Sequence, residues 1–222
     1  MSSLLPEMSD LWLKTINWQP NELQQSQFQQ LYELVIEGNS QFNLTRITEP
    51  TEFWEKHLWD SLRGVVPFLT LEKQKIIDIG TGAGFPGLPM AISFPETAIT
   101  LVDSTRKKIT FIDGLLEELN ISNALAVTSR AEALNKLPQY KNVYDLATVR
   151  AVGSAAICAE YALPLVKPGG MAVLYRGNWT EAEQEDLVKA IALLNGEIAT
   201  IESFTTPISQ SIRHCIYLKK LS

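Results

Sequence analysis

From residue 74 onward the chain alternates short apolar, β-branched runs with helix-like stretches, and that rhythm admits few folds. The runs fall at 75–80, 98–104, 124–130, 144–151 and 169–177. Amphipathic segments such as 107–119 and 155–166 lie between them. Strands buried on both faces read as continuous apolar runs, and strand–helix alternation builds parallel βαβ units. The end breaks the rhythm: 197–204 and 214–219 read as two strands with no helix between them. The expected core is therefore a doubly wound, seven-stranded, mostly parallel sheet whose closing pair is antiparallel.

Residues 1–70 have a different texture and read as a helical extension ahead of a Rossmann-like domain at 71–222. Asn21 suits a helix N-cap, Leu23, Leu31, Leu34 and Val35 follow near a 3.6-residue period, and Gly38 suits the helix end. Pro50 opens a second helix carrying Phe53, Trp54, His57, Leu58, Ser61, Leu62 and Val65.

The most informative stretch runs from Ile76 to Gly87, where an apolar strand enters three alternating glycines, Gly80, Gly82 and Gly84, followed by Phe85 and Pro86. Glycine at such a turn lets the backbone bend sharply and lets a ligand approach main-chain atoms. Residues 82–87 match the dinucleotide fingerprint literally. The register disagrees with it: Gly80 and Asp78 occupy the two positions that should be apolar strand residues. The turn instead starts at Gly80, directly after Ile79. A carboxylate such as Asp78 at that strand end would repel a pyrophosphate and favour a cationic ligand. S-adenosylmethionine, with its amino group and sulfonium, is such a ligand.

Asp103 ends the next strand, 23 residues after Gly80, where a carboxylate is placed to accept both ribose hydroxyls; it also suits an N-cap. The third strand ends at Ser129-Arg130-Ala131-Glu132 and the fourth at Arg150. Ligands of open α/β sheets bind beyond the carboxyl ends of the strands, and four successive ends here carry polar residues after apolar cores.

Composition excludes some classes. Charged residues make up 20 % of the chain, and no apolar run approaches the ~20 residues of a membrane span. The start lacks the basic segment of a secretory signal, so the expected setting is the cytoplasm. Cys158 and Cys215 lie far apart in apolar segments, which suits buried thiols and gives no metal-ligand spacing. The net charge is −6, with four basic against nine acidic residues in 1–70 and 15 against 16 in 71–222. Bulk attraction to nucleic acid is thereby excluded, while a basic face on the C-terminal part is not.

Together these segments resemble the class I methyltransferase fold and, more narrowly, the bacterial RsmG (GidB) family, which methylates N7 of a guanine in 16S ribosomal RNA. The resemblance rests on Asn43-Leu44-Thr45-Arg46, on His57-Leu58 with Asp60-Ser61, and on the glycine turn from Asp78 to Gly87. It continues through Leu101-Val102-Asp103-Ser104 with Lys107-Lys108, Ser129-Arg130 with Glu132, Arg150-Ala151, and Arg213-His214. It implies S-adenosylmethionine as cofactor, contacted by Gly80, Gly82, Gly84, Phe85, Ala131, Glu132 and Arg150, with Asp103, Ser104 and Thr105 around the ribose. Arg46, His57, Asp60 and Arg176 become candidates for substrate contact. The family commonly has Lys-Gly after the fifth strand; this chain has Arg176-Gly177, which keeps the charge and changes its geometry.

Guanine N7 has an in-plane lone pair and no proton to lose, so alignment and electrostatics suffice and no catalytic base is assigned. Neither an Asp/Asn-Pro-Pro-aromatic motif nor a Pro-Cys nucleophile occurs. The expected partner is 16S ribosomal RNA or the small subunit, met by a metal-free monomer through a basic rim that includes Arg46, Arg106, Lys107, Lys108, Arg130, Arg150, Arg176 and Arg213. Two readings stand beside it: a methyltransferase acting on a different RNA, protein or small molecule, and a nucleotide-binding module with a degenerate site.

Overall fold

A computed structural model describes residues 4–68 and 73–222 of the chain. The expected boundary at 70/71 lies outside the described residues. The sheet has seven strands: β1 (Lys75–Ile79), β2 (Ala98–Asp103), β3 (Ala124–Thr128), β4 (Tyr144–Arg150), β5 (Val166–Arg176), β6 (Gly196–Thr205) and β7 (Ile212–Lys220). Their spatial order is β3-β2-β1-β4-β5-β7-β6. The first five strands are parallel, and β7 slots antiparallel between β5 and β6. The doubly wound, mostly parallel sheet with an antiparallel final strand is as the sequence rhythm implies, and its order reverses between β1 and β4, where such sheets open a ligand crevice.

One face is covered by α2 (Glu22–Phe42), α5 (Gly87–Ser93) and α6 (Arg106–Glu118) together with the shorter helical segments of the N-terminal extension. The other face carries α8 (Ala155–Ala162) and α9 (Glu181–Ala192), and the single turn α7 (Ala131–Leu134) follows β3. β1 is wholly buried from Ile76 to Ile79, which explains why it reads as an apolar run interrupted only by Asp78.

The N-terminal extension differs in detail from its sequence reading. A short helix, α1 (Ser9–Ile16), precedes the capping box that Asn21 and Gln24 close at the start of α2. Gly38 does not end α2: the helix runs on to Phe42 and closes at Asn43 in a left-handed conformation. The glycine instead lets α2 pass the ring of Phe111 on α6, where a Cβ would collide. Gln24 donates to the carbonyls of Ile92 and Ser93 at the end of α5, at 3.1 and 3.0 Å, and fastens α2 to the core.

Pro50 does open a helix, with Glu49 as its N-cap, yet the segment is not uniformly α-helical. After α3 (Pro50–Phe53) the chain widens into a π-helical stretch, Trp54–Trp59, before tightening into α4 (Asp60–Arg63). Such widenings are rare and concentrate at functional sites. Trp12, Trp54 and Trp59 are buried here, as packing rather than base-stacking residues. Trp12 meets Trp54 edge to face at 4.8 Å. Cys158 and Cys215 are buried free thiols.

Candidate active site

The glycine turn is held by backbone hydrogen bonds, with the Gly80 and Thr81 amides donating to the Val102 carbonyl at 2.8 and 2.9 Å. Gly80, Gly82 and Gly84 all have positive φ, at 70°, 63° and 100°, a region that L side chains rarely adopt. A Cβ on Gly80 would also strike Val152 in the β4–α8 loop. The turn therefore leaves its backbone bare at the crevice between β1 and β4.

Asp78 corrects one expectation. Its side chain is fully buried and does not face a ligand: its carboxylate accepts from the Gly87 amide at 2.9 Å and the Thr148 hydroxyl at 2.8 Å. It ties the far end of the glycine loop to β1 and β4. Burial raises its pKa, against the hydrogen bonds from Thr148 and Gly87 and the charge of Arg150.

Two cavities flank the Arg150–Val152 segment. The first, about 150 Å³, lies beyond β1, β2 and β3 and is lined by Gly80, Asp103, Ser104, Ala131, Glu132 and Val152, among others. Asp103 at its rim accepts from the Gly82 amide at 3.0 Å and the Thr105 amide at 2.8 Å, with Lys108 at 3.7 Å. One carboxylate thus joins the glycine turn to the start of α6. Tyr161 donates to Glu132 at 2.9 Å, which helps hold that carboxylate below its ordinary pKa, together with a backbone hydrogen bond that contributes most. The bare turn and a donor set of two carboxylates fit S-adenosylmethionine, whose adenosine needs hydroxyl acceptors and whose cationic end is repelled by neither.

The second cavity, about 320 Å³, lies beyond β4, β5 and the start of β7. It is lined by Asp60, Arg150, Tyr175, Arg176, Asn178, Arg213 and His214, among others. Arg150 donates to the Asp60 carboxylate at 3.2 Å and to the Lys56 carbonyl at 2.9 Å, a carbonyl of the π-helical stretch. Arg176 donates to the Gly153 carbonyl at 2.6 Å and pairs with Glu183 on α9.

The sequence-derived residues thus separate into three groups. Gly80, Asp103, Ser104, Ala131 and Glu132 line the first cavity, and Asp60, Arg150 and Arg176 the second. Gly82, Gly84, Thr105, Phe85 and His57 support these walls, while Arg46 stands exposed in the loop after α2. His57 and Phe85 are buried; His57 Nε2 meets the Thr45 hydroxyl at 2.9 Å, and Nδ1 has no partner among the described residues. Burial foremost, then the charges of Arg150 and Lys56, lowers the His57 pKa to about 3, so the ring is neutral at pH 7.

Sequence reasoning missed Glu55, which is buried and accepts from the amides of Ile208 and Ser209 at 2.6 and 2.9 Å, fastening the β6–β7 loop to the π-helical stretch. It also missed Glu183; its position three residues after the N-cap Thr180 signals a helix start, but not an arginine partner. Among the described residues no cluster of three or more His, Cys, Asp or Glu is placed to hold a metal, and no helix is long and apolar enough to cross a membrane.

Residues 24–215 match the family model for GidB, rRNA small subunit methyltransferase G. The chain belongs to this family. The ribosomal RNA small subunit methyltransferase G of Nostoc punctiforme is 57 % identical over 226 residues, covering 100 % of this chain and 93 % of that protein. Its counterpart in Microcystis aeruginosa is 48 % identical over 98 % of this chain and 99 % of its own length. More distant solved structures share the fold. The 16S rRNA (adenine(1408)-N(1))-methyltransferase of Catenulisporales acidiphilia superposes with TM-score 0.56 at 15 % identity, over 69 % of this chain and 90 % of that one. M. jannaschii TYW2, solved in complex with AdoMet, gives 0.54 at 12 % identity over 68 % and 70 %. This family member therefore has the class I S-adenosylmethionine-dependent methyltransferase fold, with its glycine turn and strand-end residues inside the matched segment.

Proposed function

We propose that this chain transfers a methyl group from S-adenosylmethionine to N7 of a guanine in 16S ribosomal RNA. The observation that carries the reading is the pair of cavities flanking Arg150–Val152, one suited to the cofactor and the other open to an acceptor base. When bound, S-adenosylmethionine supplies an electrophilic methyl on a sulfonium. In the first cavity Gly80 offers bare backbone, Asp103 accepts the ribose hydroxyls, and Ala131 and Glu132 meet the adenine. In the second, Arg150 and Asp60 form the wall against which the acceptor base is aligned. Because N7 carries no proton, neither cavity needs a base, and the neutral, buried His57 serves as structure.

The family match and the names of the relatives support 16S RNA as the substrate. Arg46, Arg106, Lys107 and Arg130 are exposed, and they supply phosphate contacts at this end of the sheet. In this reading 71–222 is the methyltransferase domain and 1–70 a helical segment that shapes the acceptor side; the protein works as a cytoplasmic monomer. The test is methyl incorporation from labelled cofactor into 16S RNA or small subunits lacking the native modification. Incorporation is expected; its absence, with cofactor binding intact, would favour a different acceptor.

A further inference from the structure

We propose that Asp60 is the residue that selects guanine, accepting hydrogen bonds from the N1–H and 2-amino group of the target base in the second cavity. The inference rests on the methyl-transfer reading above and adds the recognition element. The cavity, about 320 Å³, sits at the lower end of ligand pockets, which run to about 1,000 Å³, and admits a purine ring.

Three of its features set the chemistry. Asp60 is buried, yet only one of its oxygens is engaged, by Arg150 at 3.2 Å; the other receives no hydrogen bond among the described residues. Arg150 pairs with Asp60 and also donates to the Lys56 carbonyl, and Arg176 pairs with Glu183 and also donates to the Gly153 carbonyl, so these two cations balance the two carboxylates of the wall. Among the described residues Arg213 makes no ion pair and its buried Nε has no partner, leaving one unpaired cation for a phosphate of the same nucleotide.

An ionised carboxylate only accepts hydrogen bonds. Guanine presents two adjacent donors, N1–H and the 2-amino group, on the edge away from N7. Adenine presents an acceptor at N1, which the carboxylate repels. Holding guanine by that edge leaves the N7 lone pair free and directs it away from Asp60. The contact with Arg150 aligns the Asp60 carboxylate, as a charge-assisted pair does.

The experiment compares methyl transfer to 16S RNA carrying guanine or inosine at the target position, for the unaltered enzyme, Asp60→Asn and Asp60→Ala. Inosine keeps N7 and N1–H and lacks the 2-amino group. Loss of a hydrogen bond to a charged group lowers kcat/KM about 10- to 100-fold for inosine with the unaltered enzyme. In Asp60→Ala guanine and inosine should converge to within about threefold, the remainder reflecting their intrinsic N7 nucleophilicity, while Asp60→Asn, which keeps one neutral acceptor, should narrow the ratio. A merely structural role for Asp60 would slow both substrates equally and leave the ratio unchanged, which overturns the proposal, as does an unaltered enzyme that treats the two bases alike. If guanine RNA itself accepts no methyl while S-adenosylmethionine still binds, the methyl-transfer reading fails and this one with it.

Discussion

The imidazole of His57 lies flat against the ring of Phe85, with centroids 4.3 Å apart and planes 9° from parallel. Phe53 closes on both rings edge to face, at 4.9 and 5.6 Å, and the Arg150 guanidinium lies over Phe85 at 6.0 Å. This stack joins the π-helical stretch to the glycine turn, so the N-terminal helices and the nucleotide end of the sheet cannot move independently. A charged imidazole would need an acceptor at Nδ1, and the described residues offer none.

Stability should therefore depend on pH through His57. Its folded pKa, about 3, lies below the ordinary value of 6.5, so the folded state binds fewer protons. The contribution is complete above pH 6.5 and is lost as pH falls through the window from 6.5 to 3. At pH 5 the loss amounts to about 2 kcal/mol. Denaturant unfolding at pH 7.5 and pH 5 measures it, with His57→Gln as reference: the difference in stability between the two proteins should shrink by that amount at the lower pH. An unchanged difference would mean that the ring is already charged, or solvated, in the folded protein.

Asp103 and Arg46 should separate cofactor binding from substrate binding. Asp103→Ala removes the proposed ribose acceptor and also frees the Gly82 and Thr105 amides. Calorimetry should show affinity for S-adenosylmethionine weakened about 10- to 100-fold, in keeping with lost hydrogen bonds to a charged group. Arg46→Ala should keep that affinity while reducing methylation, most strongly at low salt, because an exposed cation acts on phosphates and salt screens that contact. Equal loss of cofactor affinity in both variants would contradict the division.

The glycine turn gives a prediction in which one change repairs another. Gly80→Ala forces an alanine to φ near +70° and drives its Cβ into Val152. The left-handed conformation alone costs about 1–2 kcal/mol, and the collision adds to it. Adding Val152→Ala should recover the collision part and leave the conformational part. Thermal unfolding of the single and double variants checks this; strict additivity would show that the two side chains do not meet.

Much of this was legible in the chain. Fully buried parallel strands leave continuous apolar runs, and glycines at positive φ leave a spacing that few other turns demand, so the sheet, its antiparallel closure and the first cavity follow from local pattern. What escaped depends on partners distant in sequence. Asp78 reads as a ligand-facing carboxylate until Thr148, 70 residues away, is seen to fill its coordination. Arg150 reads as a cofactor contact, and the chain pattern gives no sign of its bond to Asp60, 90 residues earlier, which also makes it a wall of the second cavity. Gly38 reads as a helix end because glycine's absence of a side chain serves close packing equally well, here against Phe111. The π-helical stretch has no spacing signal to distinguish it from an α-helix, and α1 starts at Met8 in a left-handed conformation without a side-chain cap.

The account turns on guanine N7 as the acceptor atom, and one substitution in the RNA isolates it. In 16S RNA carrying 7-deazaguanine at the modified position, N7 is replaced by a carbon while the N1–H and 2-amino edge is kept. Incorporation of labelled methyl should fall to background, while the same RNA still competes with the unmodified substrate. Label appearing in the 7-deazaguanine RNA at that nucleotide would place the acceptor on another atom and contradict the account.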